Sequence, residues 1–424
     1  MTTAIRDALL AQALTCEHGG SPMYAELLRR AADEPDGPIA AVLSDGPDAG
    51  RCLRLLGAVH RLVLEGRAPD LAAHYPTAAT TPTNALATSA PPPTTGAGTT
   101  RHATDVSTAG DAANTNAAMS GAIASPTTTN TNTNTTSVSA ARAATGANTT
   151  TGATTAGAAG GGTADPLDAW PAFRALLAER PDEVRAAMAG APQTNEVGRA
   201  APLVGGLLSI MAAIGERPVR LLEVGASAGL NLRADHYRYE SGGLGFGPAD
   251  SPVVLRDAWL GSPPPLTGGL SIVERRGCDL APVDPVADAV RLLSFVWPDQ
   301  HERVARLRGA LEIAARVPAT VVQADAATFL ADLEPRPDVV TVVWHSLMWQ
   351  YLSPAEQAQV TASIERAGSL ATPDAPVAHL YLEQANDADF HSLPVLTLRL
   401  WPHHGGERRI LADTPHHGVP ATWR

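Results

Sequence analysis

Residues 221–232 read LLEVGASAGLNL, an apolar run, an acid, five small residues and then a polar restart. The pattern predicts a strand that ends at Glu223 and Val224, a tight turn through Gly225, Ala226, Ser227, Ala228 and Gly229, and a helix opening near Asn231. Such a turn exposes backbone N–H groups where a carboxylate or phosphate can approach without meeting a Cβ atom. Glu223 falls at the carboxyl end of the strand, where open α/β sheets bind ligands, and a carboxylate there can accept from an amino group or hydroxyl. The turn therefore points to a nucleotide-type ligand.

Three chemistries compete for it. The dinucleotide fingerprint G-x-G-x-x-G fails, because Ser227 stands at the second glycine and Leu230 at the third. Gly225 to Gly229 also spells G-x-S-x-G, the nucleophile elbow of α/β-hydrolases, with Ser227 as nucleophile. An elbow normally follows several earlier strands and borrows an oxyanion-hole N–H from upstream, and no strand pattern precedes Leu221. The E/D-x-G-x-G-x-G turn of a Rossmann-like methyltransferase, which binds S-adenosylmethionine, matches with Ser227 replacing the middle glycine. A purely structural tight turn is the remaining alternative.

Composition narrows the field. The net charge is −12, against the clustered basic residues that neutralise a nucleic-acid backbone. All 31 basic residues are arginine, so Schiff-base and Walker-lysine chemistry is excluded. Cys16, Cys52 and Cys278 are far apart without a C-x-x-C, which implies neither a zinc knuckle nor a disulfide framework and suits a reducing cytoplasm. No signal peptide is evident, and no apolar run of about 18 residues stands out as a bilayer span.

The chain divides by composition. Residues 1–76 read as a first part of a helical cap, with Cys52, Leu55, Leu56, Val59, Leu62 and Val63 at helical spacing. Residues 77–164 are rich in Thr, Ala, Asn, Gly and Ser and read as a disordered insertion. Helices over 170–189 and 196–214 form the second part of the cap, 165–217. From Pro218 to the end, strands over 220–224, 271–277, 319–324, 338–344 and 377–383 alternate with helices over 286–295, 299–316 and 354–367, which predicts a doubly wound parallel sheet. Two last strands, 395–400 and 408–412, have no helix between them and must pair antiparallel.

Ligand positions follow from the strand ends. Asp279 ends the second strand and suits both ribose hydroxyls, with Glu274 as its rival; Asp325, followed by Ala326, ends the third and suits an adenine amino group. Each is equally a turn residue or helix cap when taken alone. The glycine- and proline-rich stretch 241–269 lengthens the first crossover and predicts a substrate lid. At the fourth strand end, His345 is a candidate general base, and Trp349 and Tyr351 candidate pocket walls, with Trp344 beside them. Asn195 and Glu196 are candidates to reach the site from the cap, or else a helix N-terminus. The pairs His403/His404 and His416/His417 lack metal-ligand spacing, so no metal is expected.

The segments QTNEVGR (193–199), LLEVGASAGLNL, RRGCDLAPV (275–283), FVWPDQ (295–300) and WHSLMWQYL (344–352), with LLGAVHRLVLEG (55–66), together resemble the bacterial proteins grouped as domain of unknown function 2332. The resemblance spans nearly everything outside the Thr-rich insertion, and it implies a fold similar to class I methyltransferases with a cofactor turn at Glu223, Gly225 and Gly229; Ser227 is the departure. The expectation is a cytoplasmic enzyme that takes S-adenosylmethionine as cofactor and methylates a small molecule. The alternatives are a ligand-binding protein without transfer activity and a serine hydrolase using Ser227.

Overall fold

The computed structural model describes residues 3–34, 36–43, 49–76, 165–189, 192–264, 266, 268–385 and 392–424. The insertion expected over 77–164 lies outside them. Its flanks do not: His74 Nδ1 lies 3.1 Å from the carbonyl oxygen of Asp165.

Helices α1 (Thr3–His18), α2 (Pro22–Asp33), α3 (Pro38–Val42), α4 (Ala49–Leu64) and α5 (Pro69–Ala72) precede the insertion, and α6 (Trp170–Glu179) and α7 (Pro181–Ala187) follow it. Proline opens α2, α3, α5 and α7, where its missing N–H costs nothing and its fixed φ suits the helix. Pro181 also explains why the single helix expected over 170–189 is two. These helices share one apolar core through Leu9, Leu28, Leu55, Val59, Phe173 and Val184, into which Trp297 inserts from the far side of the chain.

The main sheet has nine strands. In chain order they are β1 (Val219–Val224), β5 (Trp259–Gly261), β6 (Ile272–Asp279), β7 (Thr320–Gln323), β8 (Val340–Ser346), β9 (Val377–Gln384), β10 (Pro394–Trp401), β11 (Arg409–Asp413) and β12 (Ala421–Trp423). Their spatial order is β5-β12-β11-β10-β9-β8-β1-β6-β7. β7, β6, β1, β8 and β9 are parallel neighbours, so the five parallel strands lie in the order 3-2-1-4-5 and the order reverses between β1 and β8. β10 and β11 add an antiparallel hairpin, as expected, and β12 and β5 extend it beyond what the sequence indicated.

Alternation along β1 sends side chains to two cores. Leu221 faces α8 (Ala200–Ile214) and α10 (His301–Ala314), whereas Leu222 and Val224 face α11 (Ala326–Leu330) and α12 (Pro354–Ser369). α8 is apolar on every side and packs on the sheet core. The segment Val197–Ile214 does have the length and hydropathy of a membrane span, against the sequence expectation, but 72% of it is buried inside the protein.

Two expectations near the turn are corrected. The chain after Gly229 forms a 3-10 turn, Asn231–His236, rather than an α-helix. Side chains capture the carbonyls that would have built one: Arg233 donates to Gly229 O, Tyr237 to Leu230 O and Tyr239 to Ala234 O. The stretch 241–269 is not a lid. With β2 (Arg238–Ser241), β3 (Leu244–Phe246) and β4 (Val254–Leu255) it forms a small sheet, then supplies β5 at the outer edge of the main sheet. Six strand spacings separate β5 from β1, roughly 29 Å at the usual interstrand distance.

Candidate functional site

The switch point brings the glycine turn beside the end of β8. Val224 pairs with His345, so Gly225 leaves β1 level with Ser346. Gly225, Ser227 and Gly229 all have positive φ, +72°, +53° and +67°. A Cβ on Gly277 of β6 would stand 2.5 Å from Ala226 Cβ, so the turn and the strand touch only because both residues are small.

The N–H groups of Gly225, Ala226, Ser227 and Leu230 all bond within the protein, and Gly229 donates to Ala226 O at 2.7 Å. Gly225 and Ala226 donate to Cys278 O, both at 2.9 Å; Ser227 donates to Asp279 Oδ2 at 2.9 Å; Leu230 donates to Asn195 Oδ1 at 3.0 Å. Asp279 Oδ1 accepts from Ala281 N at 2.9 Å. A carboxylate has about four acceptor positions, so Asp279 keeps two for a ligand at the mouth of the turn. The Ser227 hydroxyl donates to Gln193 Oε1 at 2.5 Å, and Gln193 Nε2 donates to Ala281 O.

The segment 193–196 thus lies across the turn. Asn195 and Glu196, expected to touch a substrate, are engaged inward: Asn195 clamps the turn, and Glu196 accepts from Arg303 Nε at 2.7 Å, from Arg303 Nη2 at 2.5 Å and from Gly198 N at 3.0 Å, with His417 Nδ1 at 3.4 Å. Burial alone would raise the Glu196 carboxyl, but Arg303, with help from His417 and Gly198, holds it well below the usual carboxylate range.

Glu223 belongs to the other side of the turn. It is 2% exposed and shares the α8 side of the sheet with Trp344. Burial pushes its carboxyl up to about 8, with Trp344 and Asn231 opposing the rise. Glu223 Oε2, Asn231 Oδ1 and Trp344 Nε1 are all buried without a hydrogen-bond partner among the described residues. Burial thus favours the neutral acid here over the charged acceptor that the sequence suggests.

Asp325 follows β7, whose Gln323 pairs with Asp279, so the two aspartates end adjacent strands. Asp325 is half-buried and caps α11, accepting from Thr328 N and Thr328 Oγ1 at 2.7 Å each. Those bonds, the backbone one first, lower its carboxyl. Ala326 is buried as the first residue of α11.

At the end of β8, His345 is 2% exposed and both ring nitrogens are engaged. Nδ1 lies 2.8 Å from Glu383 Oε1, and Nε2 lies 2.9 Å from His379 Nε2. A carboxylate only accepts, so His345 carries its proton on Nδ1 and offers a lone pair at Nε2, to which His379 donates. His379 Nδ1 is then a buried acceptor with no partner among the described residues. Burial, then the neighbours His345 and Arg399, push the His379 imidazole well below its ordinary value. Glu383 Oε1 also accepts from Met348 N at 3.1 Å and Trp349 N at 3.4 Å, so it fixes the loop after β8. Trp349 and Tyr381 both stack on the imidazole, with centroids at 5.1 and 5.3 Å. Met348 Cγ stands 3.2 Å from where a Gly225 Cβ would be, so this loop overlies the turn. Tyr351 is 75% exposed beyond it.

The structure therefore gathers Gly225, Ser227, Gly229 and Asp279 at the turn, where Gly225 is exposed, Asp279 half-buried and Ser227 and Gly229 buried, with Asp325 one strand away and the Met348–Tyr351 loop overlying Gly225. Glu223 and His345 are buried. Sequence reasoning missed Gln193, His379, Glu383 and Arg199. The strand-end rule that selected Asp279 applies equally to Glu383 at the end of β9. No metal-binding cluster of three or more His, Cys, Asp or Glu occurs among the described residues.

The family model described as "Uncharacterized protein conserved in bacteria (DUF2332)" matches residues 6–118 and 99–423. The chain matches no curated protein. Because the match takes in the helices, the turn, the strand ends and the loop after β8, the protein belongs to the DUF2332 family.

Proposed function

We propose that the protein is a Rossmann-like, S-adenosylmethionine-dependent methyltransferase that acts on a small molecule in the cytoplasm. The observation that carries this reading is Asp279: it ends β6, the neighbour of β1 and its glycine turn, with two acceptor positions left after binding Ser227 N and Ala281 N. A vicinal ribose diol fits that need. Asp325 and Ala326 would hold the adenine, and Met348 and Tyr351 would border the site of the methyl acceptor.

S-adenosylmethionine would supply an activated methyl group there, and the protein's part would be to hold donor and acceptor in line. His345 serves as a positioning residue, holding Glu383 and through it the loop from Met348, since neither of its nitrogens is free to take a substrate proton. That same engagement favours one second reading, a binding protein without transfer activity. A hydrolase gains no support: the Ser227 hydroxyl donates to an amide oxygen, which cannot accept its proton in catalysis.

Calorimetric titration with S-adenosylmethionine and S-adenosylhomocysteine tests the proposal. Micromolar binding, weakened at least tenfold by Asp279→Ala, supports the cofactor site, whereas no binding by the wild type overturns it. Binding without methyl transfer to any acid-soluble metabolite pool favours the second reading.

A further inference from the structure

Arg199 is a cation of the crevice that forms no ion pair among the described residues. The residue directly precedes α8, and its side chain runs to the carboxyl end of β8, where Nη1 donates to Ser346 O at 3.3 Å and Nε to His416 O at 3.2 Å. Both acceptors are neutral carbonyls at long range. Glu196, the nearest acid in sequence, is held by both Nε and Nη2 of Arg303, and Arg199 forms no ion pair among the described residues. A half-buried guanidinium without a carboxylate is unusual, because a cation withdrawn from water is normally paired. Burial accordingly pulls its pKa down, with Glu196 and Glu383 opposing.

Place and geometry both bear on what completes it. Ser346 is level with Gly225, so the guanidinium lies at the reversal of strand order, beside the cofactor turn. Nη2 makes no hydrogen bond among the described residues and is not one of the sealed, partnerless atoms, so it remains accessible. The backbone on both sides is fixed: a Cβ on Gly418 would stand 2.7 Å from Arg199 Cα, and Gly198 abuts His417 O. A planar fork held at one edge by two carbonyls presents its other edge to a ligand, the arrangement that suits a planar oxyanion. One uncompensated positive charge in a chain of net charge −12 matches a monoanion better than a phosphate dianion.

We infer that Arg199 binds the carboxylate of a ligand in this crevice. The inference rests on the proposed cofactor for one of its two sources: the carboxylate is either that of the cofactor's amino-acid end or that of an acidic methyl acceptor.

The experiment compares wild type, Arg199→Gln and Arg199→Lys, with folding checked by circular dichroism. S-adenosylhomocysteine and 5′-methylthioadenosine share the adenosyl thioether, but only the first has a carboxylate. A wild-type preference for the first that falls about 10- to 100-fold in Arg199→Gln, with methylthioadenosine affinity unchanged, assigns the cofactor's carboxylate. Equal loss-free binding of both, with thermal stabilisation by succinate or benzoate that disappears in Arg199→Gln, assigns the acceptor's. Arg199→Lys keeps the charge and loses the fork, so it recovers only part of either effect. The melting arm needs no adenosyl ligand, so a protein that ignores both nucleosides yet responds to benzoate through Arg199 defeats the methyltransferase reading and keeps this one. Should both variants fail to fold, succinate against succinamide on the wild type decides: a shift from the acid alone supports the inference. Variants that fold and leave both nucleoside affinities and both melting shifts at wild-type values overturn it, and Arg199 is then only a clamp between β8 and the loop at His416.

Discussion

At the scale of single residues, two buried titratable groups act on stability in opposite directions. Glu223 has its carboxyl raised to about 8 by burial, so the folded chain holds a proton that the unfolded chain has released above about 4.5. Stability from this site is therefore full below about 4.5 and falls as pH rises to about 8. Glu223→Gln should flatten that fall by about 4 kcal/mol in the limit, read as the difference between the two proteins in urea unfolding at pH 5 and pH 8.5. An unchanged slope would show that Glu223 is ionised in the fold. His60 runs the other way. Burial lowers it to about 4, so the unfolded chain takes up a proton first as pH drops below about 6.5, and the fold loses up to about 3 kcal/mol by pH 4. His60→Gln should remove that acid limb, whose persistence in the variant would assign it elsewhere. Ser227 poses a backbone question: at φ +53° it bears a left-handed strain that glycine lacks, against one hydrogen bond to Gln193. Ser227→Gly should stay within about 1 kcal/mol of the wild type, whereas Ser227→Val should cost about 2 kcal/mol or more by thermal unfolding.

At the scale of elements, the contact between the turn and β6 is the most sensitive. A methyl at Gly277 meets Ala226 Cβ at 2.5 Å and Glu223 O at 2.9 Å, and backbone on both sides has no room to yield. Gly277→Ala should cost about 1–3 kcal/mol and abolish ligand binding through displacement of Asp279, which calorimetry would detect; full binding would mean the turn is looser than this packing implies. Of the parallel strands, β1, β8 and β9 are buried on both faces and so read as largely apolar runs, whereas β6 and β7 were legible only from their alternation with helices. β5 and β12 were not, being three residues each and held as strands by pairing with one another and, for β12, with β11. The helix expected after Gly229 failed for a comparable reason, since Arg233, Tyr237 and Tyr239 take its carbonyls and no local propensity reports that. Site residues showed the same division. Asp279 announces itself by its position at a strand end; His345 does so equally, but nothing in WHSLMWQYL reveals that a glutamate 38 residues later occupies its Nδ1.

At the scale of the whole molecule, the helices and the sheet are joined through residues 295–300. Asp299 accepts from Ser21 Oγ at 2.7 Å and from Met23 N at 3.2 Å, Gln300 donates to Gly19 O, and Trp297 packs where a Gly19 Cβ would otherwise stand. Trp297→Ala should remove about 3–5 kcal/mol and make residues 1–75 the first to be cut in limited proteolysis, whereas uniform resistance would place the joint elsewhere.

The meeting of His74 with the Asp165 carbonyl sets the terms on which this chain can grow. A stretch that departs and returns at one spot adds only a closure entropy that rises with the logarithm of its length, while the strands and their ends keep their places. Residues 78–163 can then be exchanged for a short glycine–serine bridge, or for a reporter domain with adjacent termini, and the remaining protein should melt within a few degrees of the original. Length at this one address is decoupled from chemistry everywhere else.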